Sequence, residues 1–270
     1  AYSDAKAQEN AISVLSVPES AVTESTSLTE VENGGKLGLS ADLTLPYGTL
    51  MWASTDDIAA LLVPTDTGSP LATISILRLT SGYYFSVLNQ AVGSDQGFEI
   101  YDVRASAEGV VWTEVNILEG VWRIYGAPLG DTAIGTPRVL DQGTSDWETP
   151  SIAICGKEAF WQVLPNAQGS ESKSASTLRC APVSGGSATA SGSNNNASAE
   201  DAASTAPDAS ANYEIVLTSQ GRMCTPLYAL DNQVIATPRA QTSGVYYQLT
   251  AIDASTHEIA DTLTLPQSMK

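Results

Sequence analysis

Thirty acidic side chains, one histidine and three cysteines are the residues of this 270-residue sequence that could support acid–base, nucleophilic or metal chemistry. Their spacing narrows the choice. His257 stands in Asp253-Ala254-Ser255-Thr256-His257-Glu258, which puts Asp, Ser and His within one short segment. A nucleophile–base relay needs side chains that converge in a water-excluded pocket, and a local turn does not supply one. His257 is therefore read as part of a solvated turn between two strands. Cys155, Cys180 and Cys224 contain no CxxC pair. With a single histidine beside them, zinc hydrolysis and Cys–His catalysis are excluded at this level. The thiols are read as small core side chains, with one disulfide left open. No Gly-x-Ser-x-Gly elbow, P-loop or dinucleotide fingerprint is present. The sequence assigns no catalytic residue, no metal ligand and no cofactor.

Paired carboxylates could still cleave a glycoside. Glu99, Glu114 and Glu119, or Asp56 and Asp57, are the residues that could be proposed for it. In so acidic a chain such residues read as a solvated face, and the Ser-x-Asp-x-Gly-x-Thr-Trp box of sialidases is missing. The stretch from Asp141 to Asp146 could hold calcium, but it lacks the DxDxDG spacing. Aromatics offer a different handle. Trp52, Trp112 and Trp161 lie within apolar runs and read as core. Trp122 and Trp147 lie nearer turns and, with Tyr83, Tyr84, Tyr246 and Tyr247, could stack a sugar or a peptide. Trp122, Trp147 and Tyr246 are the ligand-binding candidates.

The elements that must position these residues are short strands. Gly109 to Asp131 carries an apolar pair and Trp112, a polar turn, and a second run ending in Ala127-Pro128. The plan returns as Glu158 to Gly186, with Ala159, Phe160 and Trp161 leading to Ala181-Pro182. The period of about 50 residues, with four strands in each unit, is the signature of propeller blades. The runs are Gly48 to Ala53, Ile58 to Val63, Ala72 to Leu79 and Tyr83 to Leu88; then Glu99 to Arg104, Val110 to Val115, Val121 to Leu129 and Pro137 to Leu140; then Ser151 to Cys155, Ala159 to Leu164, Thr177 to Val183 and Tyr213 to Thr218; then Leu227 to Leu230, Val234 to Thr237, Val245 to Asp253 and Ile259 to Leu265. No segment keeps a helical period.

The expected fold is therefore all-β: a β-propeller of four-stranded antiparallel blades, four of them full and one N-terminal and partial, cut from a longer propeller. Residues 1–10 read as a disordered tail and 11–270 as one domain, with units at 48–90, 99–143, 150–218 and 226–266. Residues 184–212 hold almost no apolar side chain larger than Ala, so they read as a low-complexity loop between two strands of one blade. Glu32-Asn33-Gly34-Gly35-Lys36 reads as a hairpin turn.

Charge sets the partners. Twelve basic residues against thirty acidic ones leave a net charge of -18. Such a field repels phosphate backbones and anionic headgroups, so nucleic acid is excluded as a partner. No apolar run approaches the roughly 20 residues of a membrane helix, so no membrane insertion is expected within this chain.

Pro150-Ser151-Ile152-Ala153-Ile154, Ala159-Phe160-Trp161, Leu178 and Val183-Ser184-Gly185-Gly186 together resemble the TolB-like (PD40) propeller repeat. In that repeat a Pro opens the innermost strand and Gly-Gly closes the third. Where the family has Ser-Pro-Asp-Gly before the second strand, this chain has Cys155-Gly156-Lys157-Glu158 and Ala105-Ser106-Ala107-Glu108. The chain is also similar to uncharacterised secreted propellers of actinobacterial type. The family includes periplasmic scaffolds and non-catalytic propellers of peptidases, so the resemblance implies a binding platform. The expected function is a non-catalytic, extracellular or cell-surface module that recognises a protein, peptide or glycan, its leader or anchor lying outside this chain. The alternative is the gating or substrate-binding propeller of a hydrolase.

Overall fold

The computed structural model describes residues 14–16, 42–54, 56–170, 172, 174–184, 213–219, 222–238 and 249–264. Seventeen strands follow in chain order. Val14–Ser16 (β1) comes first. Leu50–Ala53 (β2), Ile58–Pro64 (β3), Ala72–Arg78 (β4) and Tyr83–Leu88 (β5) form one antiparallel sheet. Glu99–Ala105 (β6), Gly109–Asn116 (β7), Val121–Pro128 (β8) and Arg138–Gly143 (β9) form the second. Ser151–Cys155 (β10), Glu158–Val163 (β11), Ser176–Pro182 (β12) and Glu214–Ser219 (β13) form the third. Tyr228–Leu230 (β14), Gln233–Ala236 (β15), Leu249–Asp253 (β16) and Ile259–Thr264 (β17) form the fourth. The four sheets are the blades of a four-bladed β-propeller, each running in order from an inner to an outer strand. The strand positions read from the sequence are those of the sixteen blade strands, within a few residues at each end.

The partial N-terminal unit is not a separate blade among the described residues. β1 lies on the outer edge of the fourth sheet as a fifth strand, parallel to β17, with Val14 opposite Thr262 and Ser16 opposite Thr264. The hairpin turn expected at 32–36 and most of the 184–212 loop lie outside the described residues. What is visible of that loop is its purpose in the topology: it joins β12 to β13, which pair antiparallel.

Alternation along each strand assigns its two faces to two different neighbours. In β7, Val110 and Trp112 pack with the first blade, while Val111 and Val115 pack with the third. In β11, Ala159, Trp161 and Val163 face the second blade, and Phe160 faces the fourth. Blade strands buried on both faces therefore need apolar residues at nearly every position, and Ile58–Pro64, IAALLVP, has them. Three core clusters result, one for each seam between successive blades. Among the described residues no core cluster joins the first blade to the fourth; the other face of blade one, Ala59, Leu61, Val63 and Leu77, forms a small cluster of its own with Leu45 and Leu79.

Candidate functional site

The second strands of blades two and three each bury a tryptophan completely, and each indole N–H meets a buried carboxylate. Trp112 Nε1 donates to Glu114 Oε1 at 2.9 Å. Glu114 is 0% exposed and its two oxygens also accept from the backbone N–H groups of Val92, at 2.7 Å, and Gly93, at 3.0 Å. It thereby ties the connection from the first blade to the second blade's core. Trp161 Nε1 donates to Asp141 Oδ2 at 2.7 Å, and Arg179 Nη1 donates to the same oxygen at 2.7 Å. Asp141 belongs to β9 and Arg179 to β12, so this ion pair crosses the seam between blades two and three. Tyr213 covers it, with the Arg179 guanidinium 4.5 Å from its ring centre.

These contacts engage most of the carboxylates available for chemistry. Glu99 accepts from Ser69 Oγ and the Leu71 N–H, and Asp57 from the Thr80 N–H and hydroxyl. Asp56 accepts from the Ala107 N–H. Glu119 is exposed in the β7–β8 turn. In the Asp141–Asp146 stretch, Asp141 is committed to Trp161 and Arg179, and Asp146 accepts from Ser170.

Trp122 requires a correction. It is not on a ligand-facing surface but 2% exposed, in β8, directly opposite Gly143. A Cβ on Gly143 would come within 2.2 Å of the indole, so the glycine is the space the ring occupies. Gly143→Ala is expected to lower stability by about 1–3 kcal/mol through overpacking, read from the midpoint of urea unfolding; an unchanged midpoint would show that Trp122 can re-seat freely. Trp147 is half-buried, bridged to Pro165 and packed on the core of the same seam. Tyr246 lies outside the described residues. Tyr83 and Tyr84 are exposed on β5, an outer strand.

The innermost strands carry the exposed large side chains that the sequence reading missed. Leu50 and Met51 of β2, Tyr101 of β6, and Tyr228 and Leu230 of β14 are all exposed. β2 contacts β6, β6 contacts β10 and β10 contacts β14. Tyr101 has a local cause: Ile100 pairs with Glu114 and Asp102 pairs with Thr113, so Tyr101 is an extra, unpaired residue, a β-bulge that turns it outward. Beside it, Asp102 and Arg104 form an ion pair, and the Arg104 guanidinium lies 4.4 Å over the ring of the half-buried Trp52. Burial outweighs the attraction of Arg104 and raises the Asp102 carboxyl above the usual carboxylate range.

A second grouping lies at the seam of blades three and four. Cys180 stands opposite Phe160 on one side and Glu214 on the other, so the three share a face, and Glu158, two residues before Phe160, joins them. That face meets the β16–β17 turn, where His257 adopts φ 59°. The imidazole is not solvated as expected. It packs edge-on against Phe160, 6.0 Å between ring centres, and its Nδ1 lies 2.9 Å from Glu214 Oε2. Cys180 Sγ is 3.6 Å from Nδ1 and 3.7 Å from Nε2. One donor atom from each of Glu158, Cys180 and His257 lies within 4.8 Å of the others. Burial, then Glu214 and Glu158, push the Cys180 thiol far up; burial also raises Glu158. All three cysteines are free thiols, Cys155 and Cys180 buried and Cys224 exposed. The grouping spans a hundred residues of sequence, so no local spacing announced it.

No family model and no curated protein matches the chain. Solved structures are similar to it at low identity. A post-proline cleaving enzyme from Rickettsia typhi is 11% identical with a TM-score of 0.38, the match covering 78% of this chain and 27% of that one. A puromycin-hydrolyzing peptidase from Mycobacterium tuberculosis is 8% identical with a TM-score of 0.37, over 80% of this chain and 38% of that one. A prolyl endopeptidase is 13% identical with a TM-score of 0.37, over 82% and 35%. The chain thus spans less than two fifths of each of these proteins. The fold rests on the chain's own four sheets: it is a four-bladed β-propeller.

Proposed function

We propose that the chain is a non-catalytic binding module of TolB-like kind, acting outside the cell or on its surface, that recognises its ligand along the wall of innermost strands. The observation that carries this reading is the bulged Tyr101, flanked by Asp102, Arg104 and Trp52. Bulges re-aim side chains at functional sites, and an exposed tyrosine beside a fixed ion pair offers the mix of apolar area and oriented polar groups that ligand sites use. Leu50, Met51, Tyr228 and Leu230 extend the same wall with apolar side chains. Aliphatic side chains among the aromatics favour a protein or peptide over a glycan, and the net charge of -18 favours a basic one. The engaged carboxylates support the non-catalytic part of the reading, since the buried ones already have structural partners.

The test is a selection of binders from a peptide library and a glycan array on the whole chain, followed by affinity measurement on variants. Ligands obtained this way should lose about 10-fold or more in affinity with Tyr101→Ala, as expected of a central aromatic anchor, and be indifferent to Tyr84→Ala on the outer strand. Ligands that ignore Tyr101→Ala would place recognition elsewhere. A glycan-only hit list would replace the peptide reading.

A further inference from the structure

We propose that Glu158, Cys180 and His257 form a binding site for a borderline divalent transition metal, zinc in the first instance, held across the seam between the third and fourth blades. The donor set is a thiol, an imidazole and a carboxylate, the three side-chain types that zinc takes. A thiolate selects against calcium and magnesium, which require oxygen donors.

The spacing of the donors suits zinc, while the present orientation of the imidazole does not. A zinc ion bound to sulfur at about 2.3 Å and to nitrogen at about 2.0–2.1 Å, with a tetrahedral angle between them, separates the two donors by about 3.6 Å. Cys180 Sγ and His257 Nε2 are 3.7 Å apart, but Sγ is as near to Nδ1, at 3.6 Å, so it lies off the Nε2 lone-pair axis and the imidazole must turn for thiol and ring to share one ion. The contact with Glu214 places a hydrogen on Nδ1 when that carboxylate is ionised, which assigns Nε2 as the atom a metal would take. Carboxylate-to-histidine support of this kind orients and strengthens metal-bound imidazoles.

A separate observation points to a missing partner. Glu158 Oε2 is buried and makes no hydrogen bond among the described residues. An orphaned carboxylate oxygen is costly in a protein interior, and coordination would satisfy it. Three protein ligands leave a fourth tetrahedral position, and the His257 side chain is 22% exposed, so that position is within reach of water or a ligand group. Glu158, Cys180 and Glu214 come from β11, β12 and β13 of one blade, and His257 comes from the next. An ion here is therefore also a clamp. This site is independent of the Tyr101 wall and stands or falls without it.

The test uses the whole chain, stripped with a chelator and titrated with cobalt(II), then with zinc. One equivalent of cobalt should produce the near-ultraviolet thiolate-to-cobalt charge-transfer band and tetrahedral visible bands, and zinc should displace it. Cys180→Ser should abolish the charge-transfer band; His257→Gln and Glu158→Gln should each weaken zinc binding about 100-fold or more. Glu214→Gln should weaken it about 10- to 100-fold, because it removes the carboxylate that holds and orients the imidazole through Nδ1. Cys155→Ser and Cys224→Ser should leave it unchanged, and zinc should raise the thermal midpoint of the native chain but not of His257→Gln. The His257 variant, changed at a side chain on the rim of the seam and checked by circular dichroism, keeps the test open if Cys180→Ser misfolds. No saturable uptake, a cobalt spectrum lacking the thiolate band, or binding that survives His257→Gln would overturn the proposal.

Discussion

Glu114→Ala is expected to lower the free energy of unfolding by about 3 kcal/mol or more, because it strands three donors at once. The Val92 and Gly93 N–H groups and the Trp112 indole all end on this one carboxylate, at a site with no exposed surface. Each buried donor left unpaired costs about 1–3 kcal/mol, and the lost side chain leaves a cavity beside the stacked rings of Trp112 and Tyr125. A chain of this size should lose about 2–4 °C of thermal midpoint per kcal/mol, so the shift is readable by calorimetry. Glu114→Gln should fall between the two, since its amide nitrogen cannot accept from an N–H. The result that would sink this reading is a Glu114→Ala protein of native midpoint, which would return Glu114 to the pool of residues free for chemistry.

Asp141→Ala should be of similar or greater size, about 3–5 kcal/mol, because it leaves Arg179 as an uncompensated charge in a closed seam. The two side chains are 2% and 10% exposed, and the guanidinium is sandwiched between Asp141 and Tyr213. Trp161 loses its hydrogen-bond partner in the same step. The discriminating measurement is a double-mutant cycle. With Arg179→Met in the background, Asp141→Ala should cost far less, since the stranded cation is gone. Additive losses would mean that the cost of Asp141→Ala is not the unpaired arginine.

What was legible in the sequence was periodicity. Apolar runs, Trp112 and Trp161, and the Ala-Pro pairs mark the strands because the blades that lie between two neighbours bury both faces, and burial is written in residue type. What was not legible depends on register. Trp122 resembles a turn-proximal aromatic until its cross-strand partner proves to be Gly143, whose missing side chain leaves room for the indole. Tyr101 reads as one more strand residue, since a bulge is a property of two paired strands and appears in neither alone. His257 resembles a solvated turn because the residues that enclose it, Phe160, Cys180 and Glu214, belong to another blade. Acidity misled for the same reason: composition counts carboxylates without saying that Glu114 and Asp141 are internal fasteners.

The parallel ladder between β1 and β17 bears on the order of assembly. Each seam core draws on two successive blades, so the seams can close one after another as the chain emerges during synthesis. The Val14–Ser16 segment must wait for Thr262 to Thr264, almost the whole described chain away, and contacts so distant in sequence carry the greatest loop-closure entropy. Until that pairing forms, the outer edge of β17 is an open strand edge, the kind of surface on which a neighbouring copy can lay its own first strand.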